Sequence, residues 1–171
     1  MKQMISLRLL PTPEQQQRLL ELLHTFNAAC GYIAAEAQAA QTSDVFALQT
    51  LTIETLLGRF RLCLPLALRA VLAVASASAR QPQRALTFRP EAAIALDEQI
   101  VAFQGLTHLS VLTLAGRMTM PYCVQRARRT GVATRLGQTS LNYRQGHFWL
   151  NVTLETALPE STLGGSPGYA V

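Results

Sequence analysis

The chain has 171 residues, 49% of them hydrophobic and 15% charged, with a formal net charge of +5. That content supports a real core, in one domain or two small ones, and excludes wholesale disorder. Lys2 is the only lysine, so the basic character is carried by arginine, whose planar fork suits phosphates and guanine edges.

Residues 4–9 alternate apolar and polar and predict a strand. Pro11 and Pro13 stop it. Thr12-Pro13-Glu14-Gln15 is a helix start, with Thr12 as N-cap, proline first in the helix and Gln15 completing a capping box. Leu19, Leu22, Leu23, Phe26, Cys30, Ile33 and Ala37 then recur at helical spacing, predicting an amphipathic helix to about Ala40. Ser43 or Asp44 can cap a second helix through Phe46, Leu48, Leu51 and Leu56, closing near Gly58. Pro65 opens a third helix to about Arg80, and its small residues 73–79 predict an inner helix of a bundle.

The periodicity changes after Gln81-Pro82-Gln83. Short strands are predicted at 86–88, 92–96, 100–103, 109–114, 118–122, 139–143 and 148–154. Ala115-Gly116 and Arg144-Gln145-Gly146 are the predicted hairpin turns, with Gly116 supplying a positive φ. In the last strand Phe148, Leu150, Val152 and Leu154 share one face, and Trp149, Asn151, Thr153 and Glu155 the other. Closely spaced antiparallel strands predict a small barrel, which the strand at 4–9 can join, leaving the helices as an insertion. Residues 159–171 lack periodicity and read as a flexible tail.

Charge is unevenly placed. Residues 56–150 hold twelve arginines against Glu91, Asp97 and Glu98, whereas residues 1–55 and the segment after Leu150 are each net −2. This asymmetry favours an acidic polymer as partner. Arg117, Arg126, Arg128, Arg129, Arg135 and Arg144 share the β region with Tyr122, Tyr143 and Trp149, which pairs phosphate-neutralising cations with faces that can stack bases. Trp149 reads equally as a packing residue.

Other chemistry is poorly supported. The only aspartates, Asp44 and Asp97, read as a helix cap and a turn. His24, His108 and His147 belong to no triad motif, and no phosphate-cradling glycine loop is present. Cys30, Cys63 and Cys123 have neither zinc-ligand spacing nor a disulfide framework and read as reduced thiols of a cytoplasmic protein. No apolar run reaches membrane-spanning length.

Several stretches together resemble the amino-terminal half of the OrfB/TnpB proteins of insertion sequences, RNA-guided DNA nucleases related to type V CRISPR effectors. They are Leu7-Arg8-Leu9-Leu10-Pro11-Thr12-Pro13-Glu14-Gln15, Phe26-Asn27-Ala28-Ala29-Cys30, Leu64-Pro65-Leu66-Ala67-Leu68-Arg69-Ala70-Val71, Phe88-Arg89-Pro90, Thr113-Leu114-Ala115-Gly116-Arg117 with Pro121-Tyr122, and Gly146-His147-Phe148-Trp149-Leu150. The resemblance implies an α+β fold: a wedge-type, OB-like antiparallel β-barrel from 1–11 and 82–158, with a helical recognition bundle inserted at 12–81. It implies guide RNA and target-flanking DNA as partners. Arg69 and Phe46 match positions that face DNA, and Arg117, Tyr122, Arg126, Arg128, Arg129 and Arg135 fall on the RNA side.

The family continues into a RuvC-like nuclease domain opened by a Leu-Gly-Val-Asp-x-Gly motif. Here Thr162-Leu163-Gly164 leads instead to Gly165-Ser166-Pro167-Gly168. The expectation is a truncated, non-enzymatic product that holds no metal or cofactor. Its rivals are a module that docks a separately encoded nuclease half through an apolar surface near 150–158, and a degenerate remnant.

Overall fold

A computed structural model describes residues 2–82, 84–126 and 133–156. The elements run β1 (Lys2–Leu9), α1 (Pro13–Ala40), α2 (Val45–Gly58), α3 (Leu64–Arg80), β2 (Ile94–Leu96), β3 (Val101–Gln104), β4 (His108–Thr113), β5 (Gly116–Arg126), β6 (Ala133–Arg144) and β7 (His147–Thr156). The fold is α+β, with all strand pairs antiparallel.

The helix starts follow from local chemistry. The Gln15 amide donates to Thr12 Oγ1 (3.2 Å) and the Thr12 amide to Gln15 Oε1 (3.0 Å), a reciprocal capping box. Asp44 rather than Ser43 caps α2, accepting from the Ala47 amide at 2.9 Å. α1 buries Leu19, Leu22, Leu23, Phe26, Cys30, Ile33 and Ala37, the stripe its spacing predicts. α3 packs against both α1 and α2, burying Leu66, Ala67, Ala70, Val71, Val74 and Ala75. Small side chains there let the helices approach closely.

The seven strands form one sheet in the order β2-β6-β7-β1-β5-β4-β3. β1 is therefore central, paired with β7 on one side and with the second half of β5 on the other. β2 and β3 are consecutive in the chain yet lie at opposite edges. The stretch from Leu96 to Val101 spans at most about 18 Å even fully extended. Seven flat strands would hold their edges about 29 Å apart. The sheet must therefore curl, and it forms a half-barrel. The connection is in fact folded back: the amides of Ile100 and Val101 both donate to Asp97 O at 3.0 Å, and Asp97 Oδ1 accepts from the amide of Gln99 at 2.9 Å.

Leu7, Leu9, Met118, Met120, Leu141, Phe148, Leu150 and Val152 line the concave face and join the helices in one hydrophobic cluster. Each fully buried leucine or phenylalanine there contributes roughly 1.5–3 kcal/mol. Asn27 of α1 is buried, and its Nδ2 donates to the carbonyls of Pro90 (3.1 Å) and Ala92 (2.9 Å), fastening the helix to the chain entering β2.

Three expectations need correction. Residues 86–88 form no strand: Leu86 and Phe88 pack partly against the core, but the chain there is caught between Pro82 and Pro90 and ladders with nothing. The predicted turn at Ala115-Gly116 lies one residue earlier, at Leu114-Ala115, because Gly116, at φ 103°, already pairs with Thr113. The strands flanking the basic segment are longer than predicted, since β5 runs on to Arg126 and β6 starts at Ala133. The tail at 159–171 lies outside the described residues.

Candidate nucleic-acid interface

The strand order decides where the arginines go. β5 and β6 are not neighbours; β1 and β7 lie between them. Arg126 and Ala133 therefore lie on strands with β1 and β7 between them. Arg126 is opposite Ser6, and both Arg135 and Lys2 are opposite Glu155. Arg128 and Arg129 lie outside the described residues.

Arg117, exposed on β5, and Arg69 are both engaged by other parts of the chain. Arg117 Nη1 donates to Ser110 Oγ at 3.0 Å, and its Nη2 donates to Gln99 O. Arg69, half-buried on α3, donates from Nε to Ala95 O at 3.2 Å. It lines a cleft of about 260 Å³ with Pro65, Leu68, Leu72, Asp97, Glu98 and Gln99. Carbonyl acceptors leave both guanidinium charges in place. Tyr122 packs edge-on against Phe103, ring centroids 5.6 Å apart at 83°, and burial raises its phenol above the ordinary pKa. Phe46 is the second residue of α2 and 77% exposed.

The structure thus brings Arg69 and Arg117 to β2 and the connection that follows it, and sets the strand positions of Arg126 and Arg135 four residues apart along β1. Tyr122 turns toward the core, and Phe46 toward solvent. The apolar surface expected near 150–158 is not seen in its first part: Leu150 and Val152 face the core, and Asn151 and Thr153 are polar and half-buried. The side chains of 154–156, and residues 157 and 158 altogether, lie outside what the structure describes.

Few ion pairs offset the arginines of the helices and of β1. Of the arginines outside the β5–β6 segment, Arg18, paired with Glu14 at 3.2 Å, lies within salt-bridge distance of a carboxylate, and His24 pairs with Glu91 at 3.6 Å. No group of three His, Cys, Asp or Glu among the described residues could hold a metal ion. A larger cleft, about 360 Å³, lies between the ends of α1 and α3, lined by Gln38, Gln41, Ser43, Ser78, Gln81 and Arg84 among others. No helix among the described residues is long and apolar enough to cross a membrane.

Neither a family model nor a curated protein matches this chain. The functional reading accordingly rests on the residues.

One residue escaped the sequence reading. Arg8 belongs to the net-acidic N-terminal segment, but the sheet sets it opposite Trp149 on β7 and Cys123 on β5. The alternation of Leu7, Arg8 and Leu9 was the available signal, since it turns Arg8 to the convex face.

Proposed function

We propose that this chain grips nucleic acid as the amino-terminal half of an OrfB/TnpB-type RNA-guided nuclease does, without a cutting domain of its own. In this reading the curled sheet is the wedge-type, OB-like barrel of 1–11 and 82–158. The helices of 12–81 are its inserted recognition bundle, and the protein works in the cytoplasm. Guide RNA follows the arginine-rich end of the sheet. Target-flanking DNA meets the helices, where Phe46 offers an exposed ring and Arg69 an unneutralised charge.

The supporting observation is the strand order. By separating β5 from β6 with two strands, it sets Lys2 and Arg135 both opposite Glu155 and Arg126 opposite Ser6, with Arg126 and Arg135 on either side of the sequence that carries Arg128 and Arg129. A run of basic positions on strands of one sheet and their connection is what a polyphosphate backbone requires.

The test is fluorescence anisotropy with a labelled single-stranded RNA over a range of salt concentrations. Affinity should fall steeply with salt. Changing Arg126, Arg128, Arg129 and Arg135 together to Ala should lower the slope of log K against log salt by about 3. Unchanged affinity in that variant would remove the proposed RNA face. RNA that co-purifies with the protein, once sequenced, would identify the guide.

A further inference from the structure

At the other end of β1 the convex face carries a second, differently built cluster. Leu7, Leu9, Leu141, Phe148 and Leu150 point into the core, so Arg8, Trp149, Arg144 and His147 point out. The register sets Arg8 opposite Trp149 and Arg144 opposite His147. The side chains then meet diagonally. Arg144 Cζ lies 5.9 Å from the centroid of the Trp149 ring, within cation–π range. Arg8 Nη2 lies 3.1 Å from Nδ1 and 3.4 Å from Nε2 of His147. A donor in the plane of an imidazole reaches only one of its nitrogens at such distances, so the Arg8 guanidinium lies over the ring face.

Two guanidinium groups are thus layered on two aromatic rings. Rings hold the cations in position without cancelling their charge. Neither arginine is paired with a carboxylate among the described residues, and Arg8 Nε, although buried, donates to nothing. A stabilising surface network would pair these cations with acids. Here positive charge is held beside flat π surfaces, as a phosphate attached to a planar base demands.

We infer that Arg8, Trp149, Arg144 and His147 form a second contact for nucleic acid that takes an unpaired nucleotide. The base stacks on Trp149, and the arginines hold the adjoining phosphates. This rests on the nucleic-acid reading above and adds a site to it. Arg8 lies six residues along β1 from Lys2, about 20 Å, so one strand of several nucleotides can touch both ends of the sheet. A duplex, whose bases are already stacked on each other, gains nothing from Trp149.

Trp149 is the only tryptophan in the chain, so its emission reports the site directly. The experiment titrates the full chain with a twelve-nucleotide single-stranded RNA, a DNA of the same sequence and the corresponding RNA duplex, following tryptophan emission and anisotropy together. Saturable quenching by the single strands, and none by the duplex, supports the site. Tighter binding of RNA would assign the nucleotide to RNA, and tighter binding of DNA to DNA.

Trp149→Ala should weaken single-strand binding about tenfold or more, and Trp149→Phe should restore most of it. Arg144→Ala, which removes an exposed side chain and leaves the core intact, should weaken single-strand binding several-fold and duplex binding less than twofold. Anisotropy that reports binding while Trp149 emission and Arg144→Ala affinity stay unchanged would overturn the second site and leave the arginine-rich end standing. No binding of any oligonucleotide at low salt would overturn both.

Discussion

Arg69 and Arg117 hold one short connection from two different elements. Arg69, on α3, donates to Ala95 O in β2, just before the connection, and Arg117, on β5, donates to Gln99 O within it. That connection joins the two edges of the curled sheet, so the arginines act as a clasp on the half-barrel. Removing either leaves a carbonyl without its charged donor; Arg69→Ala should cost about 1.5–3 kcal/mol, and Arg117→Ala, where water reaches the acceptor, about 0.5–1.5 kcal/mol. Because both act on one segment, the double variant should cost less than the sum of the singles. Urea midpoints of the four proteins measure this; strict additivity would mean the two contacts are independent. Binding comparisons for Arg69 must be made where the variant is fully folded. Under those conditions a loss confined to DNA supports a target-reading role, and an equal loss of DNA and RNA argues against one.

Asn27 illustrates a polar group whose value lies entirely in what it satisfies. Its buried amide donates to the carbonyls of Pro90 and Ala92. Asn27→Leu keeps the volume but strips both acceptors of their donor in a site closed to water. A loss of about 2–4 kcal/mol is expected, larger than for Asn27→Ala if the smaller residue admits a water. A thermal or urea melt reads it; a Leu variant as stable as the parent would show that these carbonyls find other partners.

Much of this fold was legible because its signals are local. The capping box at Thr12 and Gln15, the α1 stripe from Leu19 to Ala37 and the β6–β7 turn each depend on residues a few positions apart. The strand at residues 86–88 misled because apolar alternation reports burial, and Leu86 and Phe88 are partly buried, whereas a strand also needs a ladder partner. The site was less legible. The pairing of Arg8 with Trp149 spans most of the chain, and the carbonyls that hold Arg69 and Arg117 give no compositional signal. Arginine content alone cannot separate a clasp such as Arg117, bound to a carbonyl, from an arginine such as Arg144, held against a ring.

The β6–β7 turn can be improved. Gln145 (φ 53°) and Gly146 (φ 77°) both adopt left-handed backbone, the geometry that Asn-Gly fills best. Gln145→Asn should stabilise the protein by a few tenths to about 1 kcal/mol. Gly146→Ala should destabilise it by about 1–2 kcal/mol, and since a Cβ there meets nothing within 4 Å, the cost is in the backbone alone. Opposite signs for the two variants in paired melts are the expected outcome, and equal signs would contradict this turn geometry.

Cys30 gives a pH-dependent test of the core. Burial on α1 pushes its thiol up from 9.0 to about 12, because the thiolate cannot be solvated there. A folded-state pKa above the unfolded one means that the contribution is fully present below the unfolded value, near pH 9. It is then lost as pH rises toward 12. The ceiling on that loss is about 4 kcal/mol, three units at 1.36 kcal/mol each. Urea melts at pH 8 and pH 10.5 should show the parent losing more stability between the two than Cys30→Ala does. The same burial makes Cys30 unreactive in the native protein at pH 8. A thiol reagent should therefore label it only at the rate of local opening, more slowly than half-buried Cys63. Labelling of Cys30 as fast as Cys63 would show that α1 does not close over the core at this position.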